Sequence, residues 1–214
     1  MDQLTFKFPF SKKYYEQDYF VSSNNFSAYK LIDSWPNWPG KWLNIFGESG
    51  CGKTHLSKIL EQRIKKTNII EAKKINDKLI ANLNDIECLI IDNFDNNIDE
   101  KILYSIFNQS KQLEIYVLIN SVISLKKMTF KLNDLHSRLN SLLYIGIELP
   151  PDDLLKVIIS KILSDKQISV NPKITDYIIN NVERSYEKMF KFLKEVDELS
   201  LSTGKSININ LIKK

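Results

Sequence analysis

The sequence predicts an α/β fold: a parallel β-sheet covered by helices on both faces, followed by a small all-α domain. Three observations carry this. From residue 41 to residue 148, short apolar runs alternate with segments of helical spacing, the pattern of parallel strands joined by crossover helices. A glycine-rich octapeptide, residues 47–54, stands between the first apolar run and the first of these helical segments, where a phosphate-cradling loop belongs. After Pro150 and Pro151 the strand-like runs stop and only helical spacing continues.

Taken in order, residues 1–12 read as an extended segment, because Leu4, Phe6, Phe8 and Phe10 alternate and Pro9 disfavours helix before it. Residues 24–34 have helical spacing, which Trp35, Pro36, Asn37, Trp38, Pro39 and Gly40 must break. Strands are predicted over 41–46, 68–72, 87–91, 114–119 and 142–148, and helices over 53–65, 74–83, 99–112 and 132–140. The runs 87–91 and 114–119 are dense in apolar residues, as strands buried on both faces are. Helices over 152–165, 172–183 and 185–202 complete the chain, with Pro172 at a helix start. The predicted organisation is an extended segment over 1–12, an α/β domain over 13–150 and a helical lid over 151–214.

With 214 residues, 43% hydrophobic and 26% charged, the chain can bury a sizeable core and is not of disordered composition. A net charge of +4, spread without a block of like charges, permits acidic partners without demanding them. Cys51 and Cys88 have neither disulfide-framework nor zinc-site spacing, so a reducing cytoplasm is expected. No stretch is long and apolar enough to span a membrane, and no secretory leader is expected at the N-terminus.

Gly47, Glu48, Ser49, Gly50, Cys51, Gly52, Lys53 and Thr54 fit G-x-x-x-x-G-K-[ST]. The glycines let backbone N–H groups turn toward phosphate oxygens, Lys53 supplies a cation to the outer phosphates, and the Thr54 hydroxyl can ligate Mg2+. The next helix points its positive end at the anion. Asp92, closing the run Leu89, Ile90, Ile91, is placed as the acid that organises the magnesium through water. Asn93 follows it; an amide orients water but cannot take its proton, so slow intrinsic hydrolysis is expected. Asp95 lies nearby but off that position.

Together these residues resemble the DnaA/Hda branch of the AAA+ P-loop NTPases. Gly52, Lys53, Thr54, His55 and Leu56 have the form that branch gives its P-loop end. Asp18, Tyr19, Phe20 and Val21, followed by Asn25 and Ala28, resemble its N-terminal segment, which lines the adenine pocket. Trp35 to Pro39, and Ile91-Asp92-Asn93 with its non-acidic last residue, are similar to the Hda-type regulators. Leu135 to Leu139 resembles the box that carries the arginine finger, here Arg138. Pro150 to Leu155 looks like the entry to the lid, and Glu183 to Tyr186 like the sensor-2 region. Gln3, Leu4, Thr5, Phe6, Lys7 and Phe8 look like a sliding-clamp-binding peptide, in which Leu4 and Phe6 lie in an apolar groove while Gln3 makes polar contacts.

The resemblance implies an AAA+ core that binds ADP or ATP with Mg2+ between the α/β domain and the lid. Asn120 or Ser121 falls at sensor 1. Arg184 falls at sensor 2 in one alignment and Glu187 in another, and an acid there would repel phosphate. Since no room remains for the initiator's own DNA-binding domain, the resemblance favours an Hda-type regulator. Such a protein docks on the β sliding clamp of DNA polymerase III, meets DNA indirectly through it, and offers Arg138 to a DnaA initiator; homo-oligomers are possible in this family. The rival expectation is a DNA-binding or helicase-loading AAA+ module that oligomerises on single strands. His55 and His136 form no ligand pattern and read as structural. Trp35, Trp38 and Trp42 read as packing rather than as a stacking platform.

Overall fold

The computed structural model describes residues 14–165, 171–204, 207 and 209–212. They form two compact units, one spanning Tyr14–Glu148 and one made of the helices that follow.

In the first unit, β1 (Trp42–Phe46), β2 (Thr67–Glu71), β3 (Cys88–Phe94), β4 (Tyr116–Ser121) and β5 (Leu143–Gly146) build one sheet in the order β2-β3-β4-β1-β5. Every pairing is parallel. The three inner strands are buried on both faces, whereas β2 and β5 are half-buried at the edges. This explains the sequence pattern, since only strands covered on both sides need unbroken apolar runs. The flanking helices are α1 (Phe26–Asp33), α2 (Lys53–Arg63), α3 (Asp77–Ala81), α4 (Glu100–Gln112) and α5 (Asn133–Leu139). α4 starts where the Asp99 carboxylate accepts from the amides of Lys101 and Ile102 at 2.8 and 3.4 Å, and it buries Leu103, Ile106 and Phe107. Phe107 packs on Trp42 with ring centroids 4.9 Å apart.

Two segments differ from expectation. The helix predicted over 74–83 is a 3-10 turn at Ala72–Lys74, the short α3, and a second 3-10 turn at Asn82–Asp85. Asn76 interrupts it by accepting from the Lys78 amide at 3.0 Å, an N-cap that starts a new helix instead of continuing one. β3 runs past the predicted end at residue 91 to Phe94, with a register shift between Ile91 and Phe94 and Asn93 at φ 55°. This is a bulge filled by a residue that tolerates the left-handed region.

The second unit contains α6 (Asp152–Asp165), α7 (Pro172–Asn181), α8 (Tyr186–Thr203) and the short α9 (Ile209–Ile212). Leu155, Ile159, Leu163, Ile174, Ile178, Met189, Leu193 and Val196 form its core. Side-chain caps from Asn171 and Ser185 start α7 and α8. The clamp-peptide residues Gln3, Leu4 and Phe6 lie outside the described residues. No described helix is long and apolar enough to cross a membrane.

Candidate functional site

The parallel register brings the ends of β1, β3 and β4 to one edge: Phe46 and Phe94 both lie level with Ser121. The phosphate loop leaves β1 at this edge and enters α2. Gly50 and Gly52 hold φ 87° and 100°, values that L side chains rarely adopt, and a Cβ on Gly52 would come within 2.9 Å of Tyr19 Cε2. Ser49 and Gly50 form the exposed rim, while Cys51 and Lys53 are buried. Lys53 Nζ donates to the carbonyls of Gly47 and Glu48 at 2.7 and 2.9 Å and lies 3.6 Å from Cys51 Sγ. Burial pushes the Cys51 thiol above its ordinary value, partly offset by the Lys53 cation.

At the same edge Thr54 Oγ1 donates to Asp92 Oδ2 at 2.7 Å, and Asn120 Nδ2 donates to Asp92 Oδ1 at 2.9 Å. The predicted P-loop threonine, acidic strand end and sensor-1 residue are thus one hydrogen-bonded cluster. Of the two sensor candidates, Asn120 faces the acid. The Ser121 hydroxyl instead donates to Ile123 O at 2.6 Å and accepts from Asn44 Nδ2 at 2.9 Å. The donor set suits hard, oxygen-seeking Mg2+: Thr54 keeps a lone pair, and Asp92 keeps acceptor capacity on both oxygens. The Asn120 side-chain oxygen is buried without a hydrogen-bond partner, an acceptor that a water of a hydrated cation would satisfy. Asn93 projects outward from the bulge and is exposed. Asp95 accepts from the Asn97 amide at 2.9 Å in a local turn.

Sequence reasoning missed two buried polar residues here: Ser57, which holds Asn120, and Asn44, which ties β1 to β4 beside the cluster. Asn44 sits fully buried inside β1, where Nδ2 donates to Ile119 O at 2.9 Å and Oδ1 accepts from Leu125 N at 3.1 Å. Ser57, on the buried stripe of α2, accepts from Asn120 Nδ2 at 2.7 Å. Their one sequence signal is a polar residue at an apolar position.

The segment expected to line the adenine pocket crosses α2. Tyr19 stacks on Tyr29 with centroids 5.8 Å apart and meets the His55 ring edge-on at 5.3 Å. His55 Nε2 lies 2.7 Å from Tyr15 O, Gln62 donates to Tyr14 O at 3.1 Å, and Arg63 pairs with Glu16 and with Asp33. Asn25 ties the loop behind Tyr19: Nδ2 donates to Phe20 O at 2.9 Å and Oδ1 accepts from Ser22 N at 2.8 Å. His55 and Asn25 thereby spend their side chains on the chain's own backbone, while Phe20 and Val21 are exposed. Trp35, Trp38 and Tyr116 pack edge to face, with centroids 4.3 to 5.6 Å apart.

Arg138 lies away from this cluster. It is the penultimate residue of α5, which ends shortly before β5 begins alongside the start of β1, so it belongs to the edge of the sheet opposite the phosphate loop. Its Nε donates to Asn108 Oδ1 at 3.0 Å, and among the described residues no carboxylate forms an ion pair with it. In the helical unit Arg184 pairs with Asp152 at 3.1 Å just before α8, and Glu187 occupies the exposed first turn of α8.

The sheet order, phosphate loop and appended helices define the AAA+ P-loop fold. The sequence model of the RNA helicase family matches residues 43–135, under half of the chain. No curated protein matches the sequence. Domain III of the replication initiation protein DnaA from Thermotoga maritima is similar, with a TM-score of 0.76 and 19% identity over 96% of each chain. A replication initiator DnaA bound to AMPPCP and single-stranded DNA has a TM-score of 0.69 and 19% identity, over 87% of this chain and 65% of that one. A variant of RuvB from Thermotoga maritima has a TM-score of 0.64 and 15% identity, over 88% and 66%. The chain spans about two thirds of those two longer proteins. At these identities the likeness is one of fold.

Proposed function

We propose that the protein binds ADP or ATP with Mg2+ at the phosphate loop and regulates replication initiation. Gln3, Leu4 and Phe6 dock on the β sliding clamp, and Arg138 completes the ATPase site of a DnaA initiator, promoting hydrolysis there. The observation that carries this reading is the position of Arg138. A guanidinium at the opposite sheet edge from its own phosphate loop cannot reach its own nucleotide, but can reach one held by a neighbouring module of the same fold. Asn108 holds Nε and leaves the two terminal amino groups for a phosphate. A charge so placed offsets the negative charge that develops during phosphoryl transfer. Thr54 and Asp92 would hold the cation, whose chemistry is charge neutralisation on the outer phosphates. Lys53 would exchange its loop carbonyls for phosphate oxygens, a charge-assisted gain. Asn93 accepts no proton, so the chain's own hydrolysis is slow.

The test is hydrolysis of ATP preloaded on a DnaA initiator, with clamp-loaded DNA present. The protein accelerates it, and Arg138→Ala abolishes the acceleration, by roughly a thousandfold where such a finger acts fully. Equal rates with and without the protein, under conditions where it binds nucleotide, would sink the regulator reading. A second reading, a single-strand-binding AAA+ module, is favoured by the likeness to an initiator bound to single-stranded DNA. It predicts steeply salt-dependent DNA binding without any clamp.

A further inference from the structure

The cluster around Asp92 contains one residue that the phosphate-loop chemistry does not call for. Ser57 is 1% exposed on the inner stripe of α2, three residues beyond Thr54, and its hydroxyl oxygen takes a hydrogen from Asn120 Nδ2. The other hydrogen of that amide goes to Asp92 Oδ1. An amide nitrogen carries two hydrogens, so both are committed. The orientation is chemically determined as well, because a carboxylate beside the amide requires its nitrogen and not its oxygen.

Three consequences follow. Each oxygen of Asp92 receives one protein donor, Thr54 on Oδ2 and Asn120 on Oδ1, which fixes the plane of the carboxylate. Asn120, itself 0% exposed, has no hydrogen left for a terminal phosphate oxygen. Its carbonyl oxygen remains as a buried acceptor, which repels phosphate oxygens and suits a water that a cation has polarised.

We propose that Ser57 is a positioning residue for the cation site: it holds Asn120 so that the amide orients Asp92 and offers its carbonyl to the hydration shell of the bound divalent cation, leaving no donor for the terminal phosphate. This rests on the nucleotide site proposed above. Outer-shell groups of this kind typically matter about 10- to 100-fold in metal affinity. Removing the Ser57 acceptor frees one amide hydrogen and lets the amide turn away from Asp92.

The experiment is calorimetric titration of ADP and of ATP into the wild-type protein, Ser57→Ala, Asn120→Ala and the double variant, each in Mg2+ and in EDTA. The quantity read is the tightening that Mg2+ confers, with the EDTA affinity of each variant as its own reference. General damage to the fold moves both affinities and leaves their ratio. The expected result is a loss of about 10-fold or more in that ratio in Ser57→Ala and in Asn120→Ala. The loss is the same for ADP and ATP, and the double variant loses no more than Asn120→Ala, because both residues act through one carboxylate. An unchanged ratio in Ser57→Ala overturns the proposal. So does an Asn120→Ala variant that weakens ATP while leaving ADP untouched, since the amide would then contact the terminal phosphate. Wild-type protein that binds neither nucleotide in either buffer overturns the nucleotide reading together with it; binding with an unaltered ratio overturns this proposal alone.

Discussion

Gly52 shows how closely the phosphate loop is built. Its φ of 100° and the 2.9 Å from a Cβ to the Tyr19 ring mean that Gly52→Ala adds both backbone strain and overlap. A loss of about 1–3 kcal/mol in urea unfolding is expected, and adding Tyr19→Ala should relieve only the overlap. One buried acid, Cys88, and one half-buried acid, Tyr144, contribute to the alkaline behaviour. Burial, then the neighbouring Glu87, pushes the Cys88 thiol from 9.0 to about 12, and burial pushes the Tyr144 phenol from 10.0 to about 12. Both groups are neutral when protonated, so the folded chain retains protons that the unfolded chain releases. Their contribution to stability is complete below pH 9 and declines as pH rises from 9 to 12. Thermal unfolding across that range should show the decline, and Cys88→Ala should make it shallower; a flat profile would contradict the raised values. The loop and Asp92 were legible in the sequence because each is a contiguous pattern. Ser57 was not, since its role exists only through a contact 63 residues away.

At the level of elements, alternation of apolar runs and helical spacing revealed all five strands, most densely at the inner β3 and β4, because burial on both faces requires an unbroken apolar run. It failed where single asparagines redirect the backbone. Asn76 split one predicted helix, and the bulge at Asn93 carried β3 past its apolar run. Within β1, Asn44 is the polar exception. It joins β1 to β4 and to the segment that follows β4, so Asn44→Leu would strand the Leu125 amide and remove the donor to the Ser121 hydroxyl oxygen. A cost of about 1–3 kcal/mol in urea unfolding is expected, and a neutral result would mean that the loop finds other partners. Between α4 and α5, Asn108 holds the Arg138 Nε. Asn108→Ala should therefore weaken the acceleration of initiator-bound ATP hydrolysis without changing this protein's own nucleotide affinity, both measured on the same preparation.

For the whole molecule, the parallel sheet separates two kinds of chemistry. Its carboxyl edge gathers Lys53, Thr54, Asp92 and Asn120, where ligands of open α/β sheets bind, and its other edge carries Arg138. The helical unit carries Arg184 just before α8 and Glu187 in the first turn of α8. Arg184 is engaged by Asp152, a pairing across 32 residues that no sequence pattern announced. The proposed partners, the clamp and the initiator, rest on the resemblance alone, because a finger offered in trans leaves no signature within one chain. Everything proposed depends on adenine nucleotide in the phosphate loop. The most direct measurement is equilibrium binding of a fluorescent ADP analogue, displaced by unlabelled ADP and ATP, to the wild-type protein and to Lys53→Ala. Saturable binding that both nucleotides displace, weakened at least about tenfold in Lys53→Ala as expected for loss of a charge-assisted hydrogen bond, is the predicted result. Absence of displaceable binding by the folded wild-type protein, or equal affinity in Lys53→Ala, would contradict it.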